Sequence, residues 1–422
     1  MNVVAAEIAK LRSSPMARNA GWLLAGQGLG LVLQAAYFII LARLLGPIQY
    51  GVYAGAFALA SLAAQYSALG TGVVFLRYVS SDHSAFAVYW GNILTATSVI
   101  GGALVVVLHL LGPRLLNPAS AALVMLAAIG NCVCAQFTIE SGRVFQTFEK
   151  MRVTAALNLL TNLVRTVAAA SMLAAMHRAS AWQWALVSTL VSALAACITL
   201  VTVTVSYGRP RFDAKLFARR APEGFGFAVA MSTSSLYNDL DKTMLSHYGM
   251  NQANGIYSMA YRIVEIATIP IFSIRDAAMP RFFRFGRAGI AASADLSNRL
   301  LRRTLSLGAL AALVMFVAAP LIPYVVGRGF TEGVDALRWL CLIPLFRSIH
   351  QMTGSALAGA GMQNYRTATQ LAAATLNFFL NLWLIPTWGW HGAAWSSLCT
   401  DAALAAMNWG TLRIQLDRSA NA

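Results

Sequence analysis

Long apolar runs alternate with short polar breaks along this chain, and their spacing sets the first reading. Twelve runs are long enough to cross a hydrocarbon layer of about 30 Å as helices. They lie near 20–42, 50–72, 88–111, 118–140, 153–176, 182–206, 224–248, 254–275, 303–326, 334–358, 366–386 and 390–412. A barrel strand would be about ten residues long, roughly half of these runs, so the spans are helices. The pattern predicts an all-α integral membrane protein with twelve transmembrane helices.

Composition agrees, with 58% hydrophobic and only 11% charged residues over 422 positions, far from the mix of a soluble domain. The first twenty residues hold Lys10, Arg12 and Arg18 but no apolar core with a small-residue cleavage site, so the first span is expected to act as the targeting signal. All five cysteines (Cys132, Cys134, Cys197, Cys341 and Cys399) fall inside spans, where cysteine behaves as a small hydrophobe. Cys132 and Cys134, two apart on a helix, face different ways and make no metal pair.

A net charge of +16 raises the question of nucleic acid, but the basic residues follow loop parity instead. Segments on the N-terminal side of the membrane hold 22 Lys and Arg, and the opposite loops hold four: Arg43, Arg114, Arg178 and Arg328. That asymmetry puts both termini in the cytoplasm and makes most of the charge topological, with membrane lipids rather than nucleic acid as its partner. Two segments stand out, "RPRFDAKLFARR" (209–220) and "RDAAMPRFFRFGR" (275–287). Each reads as a headgroup-contacting rim, or as a landing site for an anionic lipid-linked substrate.

The outer loops are short, which leaves no room for a glycosyltransferase or ligase domain, and neither a GxxxxGK loop nor an HExxH motif is present. A transporter built this way would run on an ion gradient, membrane potential or substrate flux. An internal echo adds organisation. "LGPIQYGVY" (45–53) recurs as "YGMNQANGIY" (248–257), aligning Gly51-Val52-Tyr53 with Gly255-Ile256-Tyr257, and Arg152 aligns with Arg366 in a weaker match. Two similar offsets predict a six-helix lobe over 1–206, a basic cytoplasmic linker over 207–223 and a second six-helix lobe over 224–422.

The stretches "ARLLGPIQYGVYAGAFAL" (42–59), "DLDKTMLSHYGMNQANGIYSMAYRI" (239–263) and "LNFFLNLWLIPTWGWHGAAWSS" (376–397) resemble the oligosaccharide flippases that carry O-antigen and exopolysaccharide precursors. That family lies within the multidrug/oligosaccharidyl-lipid/polysaccharide exporter superfamily. The resemblance implies a V-shaped pair of lobes working by alternating access in a bacterial inner membrane. Its cargo would be an undecaprenyl-diphosphate-linked oligosaccharide moved to the periplasmic leaflet, alongside a polysaccharide polymerase and chain-length proteins. A multidrug/cation antiporter of the same superfamily is the alternative, though it predicts a carboxylate-rich cavity and deep acids are scarce in spans one to six. A glycan-assembly enzyme or scaffold is disfavoured by the short outer loops.

A sugar diphosphate needs a wet, cationic path, since polar groups buried without partners cost several kcal/mol each. Charges inside spans cost roughly 2.5–3.5 kcal/mol at a helix centre and belong on a cavity or in pairs. The deep ones are Arg165, Asp239, Asp241, Lys242, Arg262, Glu265, Arg347 and Asp401. In the seventh span Ser232, Ser234, Ser235, Asn238, Asp239, Asp241, Lys242 and Ser246 share one half of the helix. Asp239 with Lys242, and Arg262 with Glu265, stand at i and i+3, which fits either mutually neutralised structural pairs or direct contacts. Arg165 and Arg347 have no such partner in their own helices, although His350 lies one turn from Arg347 and Asp401 can approach from another helix. They are the leading substrate-binding candidates, with Arg262, Lys242 and Asp239 behind. No cofactor is expected beyond coupling by Na+ or H+. For that coupling, Asp241, Asn377, Asn381 and Asp401 are expected to form an oxygen cluster similar to sodium sites known in the superfamily, and Glu265 is a further candidate. Tyr53, Tyr257 and Tyr261 either stack on sugars or pack their turns. The tryptophans at 388, 390 and 395 read as interface anchors.

Overall fold

The computed structural model describes residues 15–420, with the side chains of 28–420 other than 230, 231 and 233–237. Lys10 and Arg12, and the side chains of Arg18, Ser234 and Ser235, therefore lie outside the described residues. Every regular element among those described is a helix. Seven stretches are long and apolar enough to cross a membrane by composition alone: Gly28–Ala64, His83–Leu115, Val124–Thr147, Met151–Met176, Ala181–Tyr207, Ile290–Val325 and Gln363–Trp388. Other long helices at the expected spans hold the buried charges, which lower their hydropathy.

The first helix, α1 (Pro15–Ala64), is two helices joined at Gly46, whose φ of 66° breaks the spiral. Glycine tolerates that left-handed backbone, and Pro47 opens the second half because its missing N–H costs nothing at a helix start. The expected turn between spans one and two thus falls where the sequence put it. Less expected is a second break, a turn over 65–70 with Leu69 and Gly70 at positive φ. It divides the second span and is followed by α2 (Thr71–Val79).

After α3 (Phe86–Leu115) the fourth span climbs through Val124–Ala128 and a π-helical turn, Ile129–Cys134, into α4 (Ala135–Thr147). It extends past the expected end at 140. Then follow α5 (Met151–Met176), α6 (Ala181–Tyr207) and α7 (Ala214–His247). The basic stretch after α6 is docked, not free: the Arg211 N–H donates to Ala87 O at 2.7 Å and the Asp213 N–H to Asn92 Oδ1 at 3.0 Å, both on α3. Asp213 in turn accepts from the Leu216 N–H, the side-chain cap that starts α7. Arg77 and Tyr78 of α2 tie down the same helix through Glu223, and the Arg220 guanidinium lies 3.9 Å over the Tyr78 ring.

The remaining helices are α8 (Asn251–Gly286), α9 (Ile290–Ala318), α10 (Ile343–Gly359), α11 (Gln363–Trp388) and α12 (Trp390–Ala420). Short pieces, including Gly333–Leu340, lead into α10. The segment 275–303, expected as a basic loop, is mostly helix: α8 runs on to Gly286, only three residues turn at Arg287–Gly289, and α9 starts well before its apolar run. Arg281, Arg284 and Arg287 remain exposed there.

The backbone clusters into two compact units. One comprises 1–44, 63–112 and 122–229; the other comprises 45–62, 113–121 and 230–422. Within the first, Val74, Phe75, Trp90, Ile93, Phe145 and Val203 form a buried core. Within the second, Phe282, Ile290, Leu357 and Leu412 do the same. The second unit also brings together the two echoing turns seen in the sequence. A Cβ on Gly51 would lie 1.8 Å from Asn251 O, and one on Gly255 would lie 1.9 Å from Pro47 O, so backbone meets backbone and neither position has room for a side chain. Asn254 seals the contact by donating to Gly51 O and Lys242 O, each at 3.0 Å.

Gly51→Val is expected to cost about 3 kcal/mol by overpacking, read as a lower midpoint in a detergent melt. Gly226→Ala, at a site with nothing within 4 Å of the new methyl, serves as the control. Equal melting of the two variants would refute the close contact.

Candidate functional site

Most of the charged residues read from the sequence sit in the second unit, on α7, α8, α10 and α12, where some meet the partners read from the sequence and others meet further ones. Lys242 Nζ donates to Asp239 Oδ1 at 2.7 Å, and Arg262 Nη1 to Glu265 Oε2 at 2.6 Å, so both i, i+3 pairs form. The two pairs differ in depth. Lys242 and Asp239 keep 10% and 21% of their side-chain surface open, whereas Arg262 and Glu265 keep 37% and 30%.

Arg347 is not the unpartnered cation its helix suggested. Its Nη2 donates to Tyr261 Oη at 2.6 Å and to Asn238 Oδ1 at 3.1 Å, and its Nε lies 3.7 Å from Asp401 Oδ2. The other oxygen of Asp401 is 3.2 Å from His350 Nε2. With Arg347 and Asp401 both about 95% buried, this is a closed ion pair and not a surface waiting for phosphate. Intrahelical spacing missed it because the partners come from α7, α8 and α12.

The coupling candidates also divide. Asp241 accepts from the Lys242 N–H at 2.7 Å and from Ser397 Oγ at 3.1 Å, and its Oδ2 takes a further short hydrogen bond from Tyr257 Oη. Asn377 instead bonds Ser396 at 3.3 Å and Thr400 at 3.1 Å, while Asn381 Nδ2 donates to Asn377 Oδ1 at 2.9 Å. Asp401 belongs to Arg347 and His350, and Glu265 to Arg262. The expected single oxygen cluster is therefore three adjoining networks, threaded by Ser396, Ser397, Thr400 and Asp401 along α12. Among the described residues no group of three or more His, Cys, Asp or Glu side chains is placed to hold a metal ion.

Tyr257 and Tyr261 follow the packing alternative of the sequence reading, not the sugar-stacking one. Both are buried with their rings 5.5 Å apart, so neither offers a face to a sugar, and Tyr53 is buried as well. Tyr257 serves the Asp241 network and Tyr261 the Arg347 network, and the Lys242 ammonium lies 4.8 Å from the Tyr261 ring. Their i, i+4 spacing opposite the polar half of α7 was the available signal. Arg165 lies in the first unit, half-buried on α5, where its Nη2 donates to Ser188 Oγ at 3.0 Å and its guanidinium sits 5.3 Å from the Tyr37 ring. The structure does not gather it with the other candidates.

Helices of membrane-crossing length that bury ion pairs define this chain as a multi-pass membrane protein with a transporter fold. Its fold matches a lipid II flippase, MurJ, in an inward closed conformation, at a TM-score of 0.74 over 93% of this chain and 87% of that one. An inward-facing multidrug resistance MATE family transporter of the MOP superfamily matches at 0.68 over 93% and 96%. A MOP superfamily transporter from Pyrococcus furiosus, described by a binding pocket of reverse polarity, matches at 0.64 over 96% and 97%. Identities are 12–13%, so these likenesses concern the fold.

The family model described as polysaccharide biosynthesis protein matches residues 16–286, well over half the sequence, and the chain belongs to that family. The resemblance read from 42–59, 239–263 and 376–397 is borne out. A curated relative, an uncharacterized membrane protein of Methanocaldococcus jannaschii, is 25% identical over 186 residues; the match spans 43% of this chain and 43% of that protein.

Arg347→Ala is expected to cost about 3–5 kcal/mol by leaving the Asp401 carboxylate buried without its cation, seen as a lower melting midpoint. Arg347→Met combined with Asp401→Asn regains most of that loss. A double variant as unstable as the single one would refute the pairing.

Proposed function

We propose that this protein is a flippase that moves an undecaprenyl-diphosphate-linked oligosaccharide from the cytoplasmic to the periplasmic leaflet of a bacterial inner membrane, for O-antigen or exopolysaccharide assembly. The observation that carries this reading is the partial exposure of Arg262, Glu265 and Asp239. Arg262 lies eleven residues inside α8, roughly 16 Å along its axis, and yet remains open. Charges at that depth belong against water, not lipid, so this face of α8 borders an aqueous path that suits a charged, sugar-bearing head. The family and the flippase-like fold support the same cargo class, and the reading is transport, not catalysis. The polymerase and chain-length proteins of the pathway would act on the delivered product.

Arg262, half-open on α8, is the sequence candidate of the second unit best suited to direct contact with the diphosphate, and Arg165 on α5 is the substrate-binding candidate of the first unit taken by itself. Arg347 holds the surrounding helices in register, while Lys242 and Asp239 neutralise each other within α7. Coupling is proposed at Asp241, where three donors converge on one carboxylate. A hard cation such as Na+ wants five or six oxygens turned toward it as acceptors, more than converge on Asp241, whereas a proton needs only the one buried carboxylate.

In a strain lacking the native gene, Arg262→Ala and Arg165→Ala are expected to reduce surface glycan at least tenfold with unchanged membrane insertion, while the lipid-linked oligosaccharide accumulates on the cytoplasmic leaflet. Normal glycan in both variants defeats the cavity assignment. In proteoliposomes, flipping should respond to a pH gradient and not to a sodium gradient, and Asp241→Asn should abolish that response. Flipping that ignores both gradients removes the coupling proposal.

A further inference from the structure

The first unit holds a buried carboxylate that the transport reading does not use. Glu140 stands on α4, seven residues from the Thr147 end and thus about 10 Å inside it, and it is 1% exposed. One oxygen, Oε1, accepts from Arg143 Nη1 at 2.8 Å. The other, Oε2, is buried without a hydrogen-bond partner.

That orphan oxygen is aimed at the first turn of α2. A Cβ on Gly72 would lie 1.6 Å from Oε2, so the carboxylate is seated directly on the glycine backbone. Gly72 stands just after the turn over 65–70 that divides the second span. The charged surroundings are sparse. Of the helices packed on α4, α6 carries no charged residue; α2 carries Arg77, engaged with Glu223; α5 carries Arg152 and Arg165, the latter on Ser188. Arg143 is the charged group that acts on Glu140, and its own side chain keeps 20% of its surface open.

A carboxylate oxygen held in a membrane protein's interior without a donor is costly while charged and much less so when protonated. We infer that Glu140 is a proton-binding site of the first unit, taking a proton from water on Oε2 and, in doing so, releasing its hold on Arg143. The bond formed is Oε2–H, and the charge of the pair changes from zero to plus one. Because Oε2 abuts Gly72, the occupancy of this site is felt at the break in the second span. The inference stands apart from the cargo and from coupling at Asp241.

Infrared titration of the full chain in liposomes tests it. Wild type should show a protonated-carboxyl band that grows as pH falls, and Glu140→Gln should lose it. Arg143→Gln should move the midpoint of that band upward by about one pH unit or more, because it removes the opposing cation; it also supplies the reading if Glu140→Gln does not accumulate. Superimposable spectra of wild type and Glu140→Gln overturn the inference, as does a midpoint unmoved in Arg143→Gln. The first result would leave Glu140 a permanently ionised partner of Arg143, and the second would assign the band to a carboxyl that does not face Arg143.

Discussion

A charge inside a hydrocarbon-spanning helix must find a partner or water, and the second unit is arranged around that requirement. Seven ionisable residues of α7, α8, α10 and α12 would each carry an insertion cost of about 2.5–3.5 kcal/mol at a helix centre. Lys242 meets Asp239, Arg262 meets Glu265, and Arg347 meets Asp401. Asp241 finds hydroxyls and a backbone amide. Neutralisation within one helix accounts for two of these sets. The other two need helices distant in sequence, so the charges also specify which helices pack together.

Two tiers result, and they correspond to two kinds of work. The closed tier, with Arg347, Asp401, His350, Asn238 and Tyr261, is satisfied on nearly every polar atom and locks α7, α8, α10 and α12 in register. Breaking such a set is expensive because the remaining charge has nowhere to go. The open tier, Arg262, Glu265 and Asp239, keeps part of its side-chain surface exposed, so parting its charges costs less than breaking the closed set. Tyr257 and Tyr261 link the Asp241 network to the closed tier, with their rings 5.5 Å apart and their hydroxyls in different networks.

Backbone proximity sets a second constraint. Gly51 and Gly255 let two helix starts touch main chain to main chain, and Asn254 satisfies the carbonyls that such closeness exposes. In the first unit Gly72 performs the related service of admitting a carboxylate against a helix start. A methyl group at any of these positions would force the elements apart, a larger disturbance than most core substitutions in the apolar spans.

Helical periodicity and run length were enough to read the spans, the turn at Gly46 and the two i, i+3 pairs, because these depend on residues near one another in the chain, while the family was read from the resemblance of three short stretches. The polar half of α7 was legible for the same reason. What the sequence left open were contacts made at long range. Arg347 looked unpartnered because Asp401, Tyr261 and Asn238 lie 54, 86 and 109 positions away. Asp241, Asn377 and Asp401 looked like one cluster because composition cannot say that α12 presents different hydroxyls to each. The break at 65–70 and the helical run through 275–303 were hidden because hydropathy measures affinity for lipid and not the path of the backbone. Local chemistry thus determined which residues had to be satisfied, and only the packing of distant helices decided by what.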